Sequence, residues 1–231
     1  MTQINICIVG KDKRQDYLGF YLEERGFTIS RQEELHPESL SGIDFLIGPI
    51  AFYPEGKLRP DIEKLCREYN VKVLNYMACE DYLLRNAELS AEGLLAIIIS
   101  NTAFTLDEAN ILILGLGRTG KALEKVLEKI SLSITGYDIL PDSIPAAASY
   151  DIVINTIPAP ILTGKYLKEF RHDCAFFDIA SVPGGFDLKA VEEMGLSLIN
   201  CPGIPGKYSP LSAGFAIGRS VTNLMNRKDI P

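Results

Sequence analysis

Ile111–Gly120, which reads I-L-I-L-G-L-G-R-T-G, decides the fold. Four successive apolar residues suit a strand buried on both faces. Gly115, Gly117 and Gly120 follow in G-x-G-x-x-G spacing, and Ala122, Leu123, Val126, Leu127 and Ile130 then share one side of a helix over 119–130. A strand, this glycine spacing and an amphipathic helix, taken together, are the signature of a dinucleotide-binding turn. Each glycine has its own task. Gly115 lets the chain turn sharply out of the strand. Gly117 lets a pyrophosphate approach the backbone, and Gly120 lets the helix pack close to the strand. The helix N-terminus presents N–H groups and a positive dipole end to the phosphates, with Arg118 and Thr119 adding hydrogen bonds.

Asp138 follows a strand over 132–135 and lies 18 positions beyond Gly120. An acid there accepts from the adenosine ribose hydroxyls and repels a 2′-phosphate, which favours NAD over NADP. Asp is also a common turn residue, and Arg118 would offset the repulsion. The cofactor is therefore NAD or NADP.

Working outward, strands over 152–154, 176–179 and 196–199 bring this series to five. The stretch 138–150 leaves little room for a crossover helix. Upstream, strands over 4–9, 27–29, 43–47 and 71–74 alternate with helices over 14–25 and 61–69. Alternating strands and helices imply an α/β fold, here two Rossmann-like lobes with parallel sheets. The expected division is an N-terminal flavodoxin-like or Rossmann-like lobe over 1–85, a linking helix over 86–104, an NAD(P)-binding domain over 105–205 and a C-terminal segment over 206–231. Ser90 and Glu92 suit a helix start, and the run from Leu94 to Ile99 is apolar nearly all round, as in a buried helix. A last helix over 210–225 is expected to dock back on the first lobe.

The composition excludes several classes. The 231 residues are 47% hydrophobic and 23% charged, with a net charge of −7. No basic run offers a nucleic-acid face. No apolar stretch is long enough to cross a bilayer, and the N-terminus shows no leader pattern. A cytoplasmic protein with reduced thiols is expected. Cys7, Cys66, Cys79, Cys174 and Cys201 form no C-x-x-C, and the histidines are only His36 and His172. No metal site is expected, and His172 reads as a surface residue.

Five segments carry a family resemblance. They are Gly10-Lys11-Asp12-Lys13-Arg14-Gln15; Asn86 to Gly93; Gly115 to Gly120; Asn155-Thr156-Ile157-Pro158 with Asp178 to Gly185; and Pro202 to Lys207 with Ser212-Ala213-Gly214. Together they resemble the A subunit of dipicolinate synthase, an oxidoreductase of endospore-forming bacteria. The D-x-A-S-x-P-G-G and P-G-x-P-G-K elements are its most specific parts. The chain departs from the family in being shorter, mainly in the first lobe. Lys11 stands where the family has glycine, Leu89 where it has proline, and Asp138 where relatives can carry Arg.

The resemblance implies hydride transfer between a nicotinamide and a dihydrodipicolinate-like dicarboxylate. It also implies a partner, the flavoprotein-like B subunit, and a homo-oligomer is expected. Other readings are a dehydrogenase of another small carboxylate, of shikimate or 2-hydroxy-acid type, and a non-catalytic nucleotide-binding or redox-sensing subunit.

Ligands of open parallel sheets bind beyond the C-terminal strand ends. Asn155, Thr156, Ile157, Pro158 and Ala180 are therefore cofactor candidates, and Gly184 and Gly185 would admit close approach of cofactor or substrate. Lys207 and Ser212, next to a helix start, suit a substrate carboxylate. Lys207 is also a candidate for proton transfer, and Arg14 is a second carboxylate ligand. Lys207 and Arg14 equally read as surface residues. Glu92 is an acid–base candidate or a helix-start acid.

Overall fold

The computed structural model describes residues 3–139 and 142–226. Two compact units divide the chain. Unit 1 takes residues 1–86 and 205–231, and unit 2 takes Ala87–Ile204.

Unit 1 is built on strands β1 (Asn5–Val9), β2 (Thr28–Gln32), β3 (Phe45–Ile47) and β4 (Lys72–Val73), with helices α1 (Lys13–Glu23) and α2 (Pro60–Glu68) between them. Its sheet runs β2-β1-β3-β4, all parallel. Ile6, Cys7, Ile8 and Val9 are all buried, as a central parallel strand covered on both faces requires. Burial pushes the Cys7 thiol, with Cys66 near it, up to about 11, which leaves it a core residue rather than a nucleophile.

Helix α3 (Glu80–Asn101) begins in unit 1 and continues into unit 2. It starts six residues before the expected linking helix. Ser90 and Glu92, expected at its start, lie in its interior, because acids in the true first turn, Glu80 and Asp81, already favour the N-terminus there. Nor is it buried all round, for Ile99 is 61% exposed. Its buried stripe is Ala91, Leu94 and Ile98.

Unit 2 continues with β5 (Asn110–Leu114), α4 (Arg118–Leu127), β6 (Ser133–Tyr137), β7 (Ile152–Asn155), α5 (Gly164–Leu167), β8 (Ala175–Asp178), α6 (Leu188–Glu193) and β9 (Ser197–Asn200). The parallel sheet has the order β6-β5-β7-β8-β9. Alternate residues of each strand serve opposite faces. Ile111 and Ile113 join Leu123, Leu127 and the α3 stripe, whereas Leu112 and Leu114 join Leu167, Phe176 and Val191. The link from β6 to β7 has only a short 3₁₀ turn at Ala147–Ser149 among its described residues.

The chain returns to unit 1 through α7 (Ile204–Tyr208) and α8 (Pro210–Met225). Ala216, Ile217 and Val221 of α8 enter the unit 1 core. Helices α8 and α1 pack closely because α8 has glycines at the contact. A Cβ at Gly214 would stand 2.6 Å from the Arg14 carbonyl oxygen, and one at Gly218 would stand 2.3 Å from the Tyr21 ring. The last five residues of the segment expected over 206–231 lie outside the described residues.

Candidate functional site

The C-terminal ends of β5, β6, β7 and β8 form one rung, with Leu114 paired to Tyr137 and Asn155, and Asn155 paired to Asp178. The candidate nucleotide residues of unit 2 follow this rung.

The β5–α4 turn has the geometry its glycines imply. Gly115 has φ +89°, a left-handed conformation, and a Cβ there would meet the Thr156 hydroxyl at 2.5 Å. At Gly120 a Cβ would lie 1.8 Å from the Gly115 carbonyl oxygen, so any side chain forces helix and strand apart. Above Gly117 there is open space, with no atom within 4 Å of a Cβ position. Gly117 also N-caps α4 and offers no side chain to its first-turn N–H groups. Arg118 is exposed and Thr119 half-buried in that first turn.

Asp138 lies one residue beyond β6 and is exposed. Its Oδ1 accepts from the Leu116 backbone N–H at 3.1 Å, which holds the carboxylate across the glycine turn. Gly136 makes room for this turn, since a Cβ there would come within 2.9 Å of the Leu116 side chain. Leu116 and Gly136 were not anticipated from sequence. The signal available was a glycine inside a strand, which often marks a close approach.

Thr156 lies within reach of two carbonyls of this turn, with Oγ1 2.9 Å from the Gly115 oxygen and 3.1 Å from that of Leu114. Its hydroxyl thus braces the turn. Ile157 packs behind Gly115, and Pro158 is exposed.

Asn155, fully buried, and Asp178, at 6% exposure, form a polar pair that sequence reading did not single out. Asn155 Nδ2 donates to Asp178 Oδ1 at 3.0 Å. The Ala180 and Gly185 N–H groups donate to the same carboxylate. Gly184 and Gly185 were expected to admit cofactor or substrate. Here the space their missing Cβ atoms leave is filled from within, by Asp178 Oδ2 at 2.7 Å and Asn155 Nδ2 at 2.0 Å.

The remaining candidates belong to unit 1 or stand apart on α3. Arg14 is not a surface arginine, its side chain being only 11% exposed. It forms a two-pronged pair with Asp12, Nε to Oδ1 at 3.0 Å and Nη2 to Oδ2 at 2.7 Å. Burial works against both charges, and the pairing overrides it, so the guanidinium is raised and the Asp12 carboxyl held below its usual range. The phenols of Tyr76 and Tyr82 lie near Arg14, and burial pushes that of Tyr82 up to about 12. Gly206 closes on the pair, for a Cβ there would stand 2.4 Å from Asp12 Oδ2. Lys207, next to it, is exposed and lies within α7 rather than in a loop. Ser212 is half-buried in the first turn of α8. Glu92 is exposed in the interior of α3 and has no helix start to support.

No residue cluster among those described has the makings of a metal centre, and no described helix is long and apolar enough to cross a membrane. The two parallel sheets, each with a glycine turn after its first strand, define an α/β, Rossmann-like fold, and solved structures of dehydrogenases share it. NAD⁺-bound 3-phosphoglycerate dehydrogenase from Entamoeba histolytica superposes with a TM-score of 0.58 at 14% identity, covering 96% of this chain and 94% of that one. No family model matches the sequence. The particular likeness is to the A subunit of dipicolinate synthase. The Bacillus subtilis protein is 26% identical over 181 residues, which is 71% of this chain and 61% of that protein. The crystal structure of the Bacillus halodurans protein gives a TM-score of 0.81 at 22% identity, covering 97% of this chain and 98% of the solved one. The resemblance to the A subunit of dipicolinate synthase is borne out, and the chain spans under two thirds of the length of the Bacillus subtilis protein it matches.

Proposed function

We propose that the chain is an NAD(P)-dependent oxidoreductase that holds its dinucleotide on the β5–α4 turn of unit 2. The observation that carries the reading is the pairing of an N-terminus of α4 without a side-chain cap with open space over Gly117. This fits a diphosphate, which needs N–H donors and close backbone approach. In this reading the first-turn N–H groups and the Thr119 hydroxyl hold the phosphates, while Asp138 accepts from the adenosine ribose and favours NAD. A bound nicotinamide supplies a hydride acceptor or donor, and the protein's task is alignment and charge.

The substrate class proposed is a small cyclic dicarboxylate of dihydrodipicolinate type, as the relative's name suggests. The exposed ammonium of Lys207 is its carboxylate partner or moves a proton to or from the ring. Arg14 of α1, oriented by its two-pronged pair with Asp12, is the second proposed carboxylate partner. By the same likeness, a B subunit is the proposed partner.

Calorimetric titration with NADH and NADPH separately tests the reading. Binding of NADH in preference to NADPH is the expected outcome. Binding of neither, with and without the partner protein, overturns it. If a nucleotide binds, oxidation of dihydrodipicolinate followed by nicotinamide absorbance separates an enzyme from a sensor, which would turn over nothing. In an enzyme Lys207→Ala lowers the rate and leaves nucleotide affinity unchanged.

A further inference from the structure

We propose that Asp178 is the positioning residue for the nicotinamide half of the nucleotide site. The inference rests on the dinucleotide reading above and extends it to a residue that touches no ligand itself.

The argument starts from the sheet. In a dinucleotide fold the ligand lies across the point where strand order reverses, one mononucleotide half to each side. In the order β6-β5-β7-β8-β9 that point is between β5 and β7. The glycine turn and Asp138 serve the side of β5 and β6. The loops after β7 and β8 therefore serve the other half, and both are tied to one carboxylate.

Asp178 sits beside Asn155 on adjacent parallel strands. Its Oδ1 accepts from Asn155 Nδ2 at 3.0 Å and from the Ala180 N–H at 3.1 Å, and its Oδ2 accepts from the Gly185 N–H at 2.8 Å. Asn155 passes the constraint on, with Nδ2 donating to the Ile157 carbonyl at 3.0 Å and Oδ1 accepting from the Ile157 N–H at 3.2 Å. The 155–157 turn and both ends of the 180–185 loop thus hang on one buried pair. Only an acceptor on both oxygens satisfies these donors, because an amide would set an NH₂ group against a backbone N–H. Two consecutive glycines clear the space. Gly184 has φ +84° and sits over Asp178, and Gly185 sits over Asn155. The segment between the tethered ends, Ser181 to Pro183, is exposed, with Val182 at 96%. An exposed segment on a buried polar anchor is well placed to meet a ligand without bending to it.

The test separates the two halves of the nucleotide. Affinities for NADH and for ADP are measured on the full chain, unaltered, as Asp178→Asn and as Gly184→Ala. The unaltered protein is expected to bind NADH more tightly than ADP. In both variants ADP affinity stays within about twofold, while the NADH advantage falls by about tenfold, equivalent to about 1.4 kcal/mol. A purely structural role would weaken both ligands together. If Asp178→Asn does not fold, shown by loss of a cooperative melt, Gly184→Ala gives the decision, since it crowds the same carboxylate from the loop side. An unchanged NADH-to-ADP ratio, or equal losses for both ligands, overturns the positioning role and leaves the nucleotide reading standing. Failure of the unaltered protein to bind NADH overturns both.

Discussion

The first strand of unit 1 and the first strand of unit 2 are each followed by a glycine turn and a helix, and position by position the two turns can be matched. Gly10 and Gly115 leave their strands with φ of +138° and +89°. Asp12 and Gly117 are the N-caps of α1 and α4. Gln15 in unit 1 then stands where Gly120 stands in unit 2. The backbone plan is shared, and the side chains give it opposite uses. Asp12 accepts from the Arg14 N–H at 2.9 Å and so supplies the protein's own anion to the helix N-terminus. Gly117 leaves that place open, and the proposed dinucleotide would supply the anion there. Gln15 fills the space beside Gly10, its Nε2 2.9 Å from where a Cβ would be, whereas Gly120 draws α4 onto the β5 turn. The comparison teaches that a βα turn keeps its first N–H groups open to a ligand only when no side chain caps it.

The largest effect that tests this contrast is at Gly120. Gly120→Val drives a side chain into the Gly115 carbonyl, and the backbone there has no flexible neighbour to yield. The expected loss is about 3 kcal/mol of unfolding free energy in a denaturant titration, together with undetectable NADH binding. Retained stability and binding would show that the close helix–strand approach is dispensable.

At the matched cap, Asp12→Ala removes an N-cap and leaves Arg14 without its partner. About 2 kcal/mol of stability is expected to go, with NADH affinity unchanged. Its pH dependence has a definite sign. The Asp12 carboxyl is depressed in the folded protein, so its stabilisation is present above the ordinary carboxylate range near 4 and is lost as pH falls through the folded value. Acid unfolding of Asp12→Ala should accordingly begin from a lower plateau and show a shallower acid limb.

Asp138→Ala sharpens the contrast from the ligand side. NADH affinity is expected to fall by about tenfold and NADPH affinity to hold or rise, both read by calorimetry. A preference that does not move would remove Asp138 from the ribose. The smallest effect belongs to Gln15. Its Oε1 is buried without a hydrogen-bond partner, so Gln15→Met is expected to stabilise the protein by about 1 kcal/mol, seen as a raised melting temperature. A loss of similar size would mean that the amide makes a bond that water completes.

The β5–α4 turn was legible in sequence because its physics is local, with every residue it needs lying between Ile111 and Asp138. Strand identities were legible for the same reason, through short apolar runs such as Ile152 to Ile154. The start of α3 was not, because Ser90 and Glu92 imitate a helix start while the acids Glu80 and Asp81 mark the real one. The short helices α5, α6 and α7 also escaped, being too brief to show a period. Asp178 escaped for a different reason. Its partner Asn155 is 23 residues away, and only the parallel register of β7 and β8 brings the two together. Arg14 was read as a surface or ligand residue because nothing local says that Asp12 would turn back to hold it.

Unit 1 is assembled from both ends of the chain, while unit 2 is one continuous stretch. During synthesis the ribosome therefore releases all of unit 2 before it releases α8. Until then the face of α1 that meets Gly214 and Gly218 has no cover, and the nascent first domain waits half-built. Unit 2 has no such wait and can close as soon as β9 emerges. A premature stop after Ile204 would deliver a complete second domain attached to a first domain that lacks its final helix.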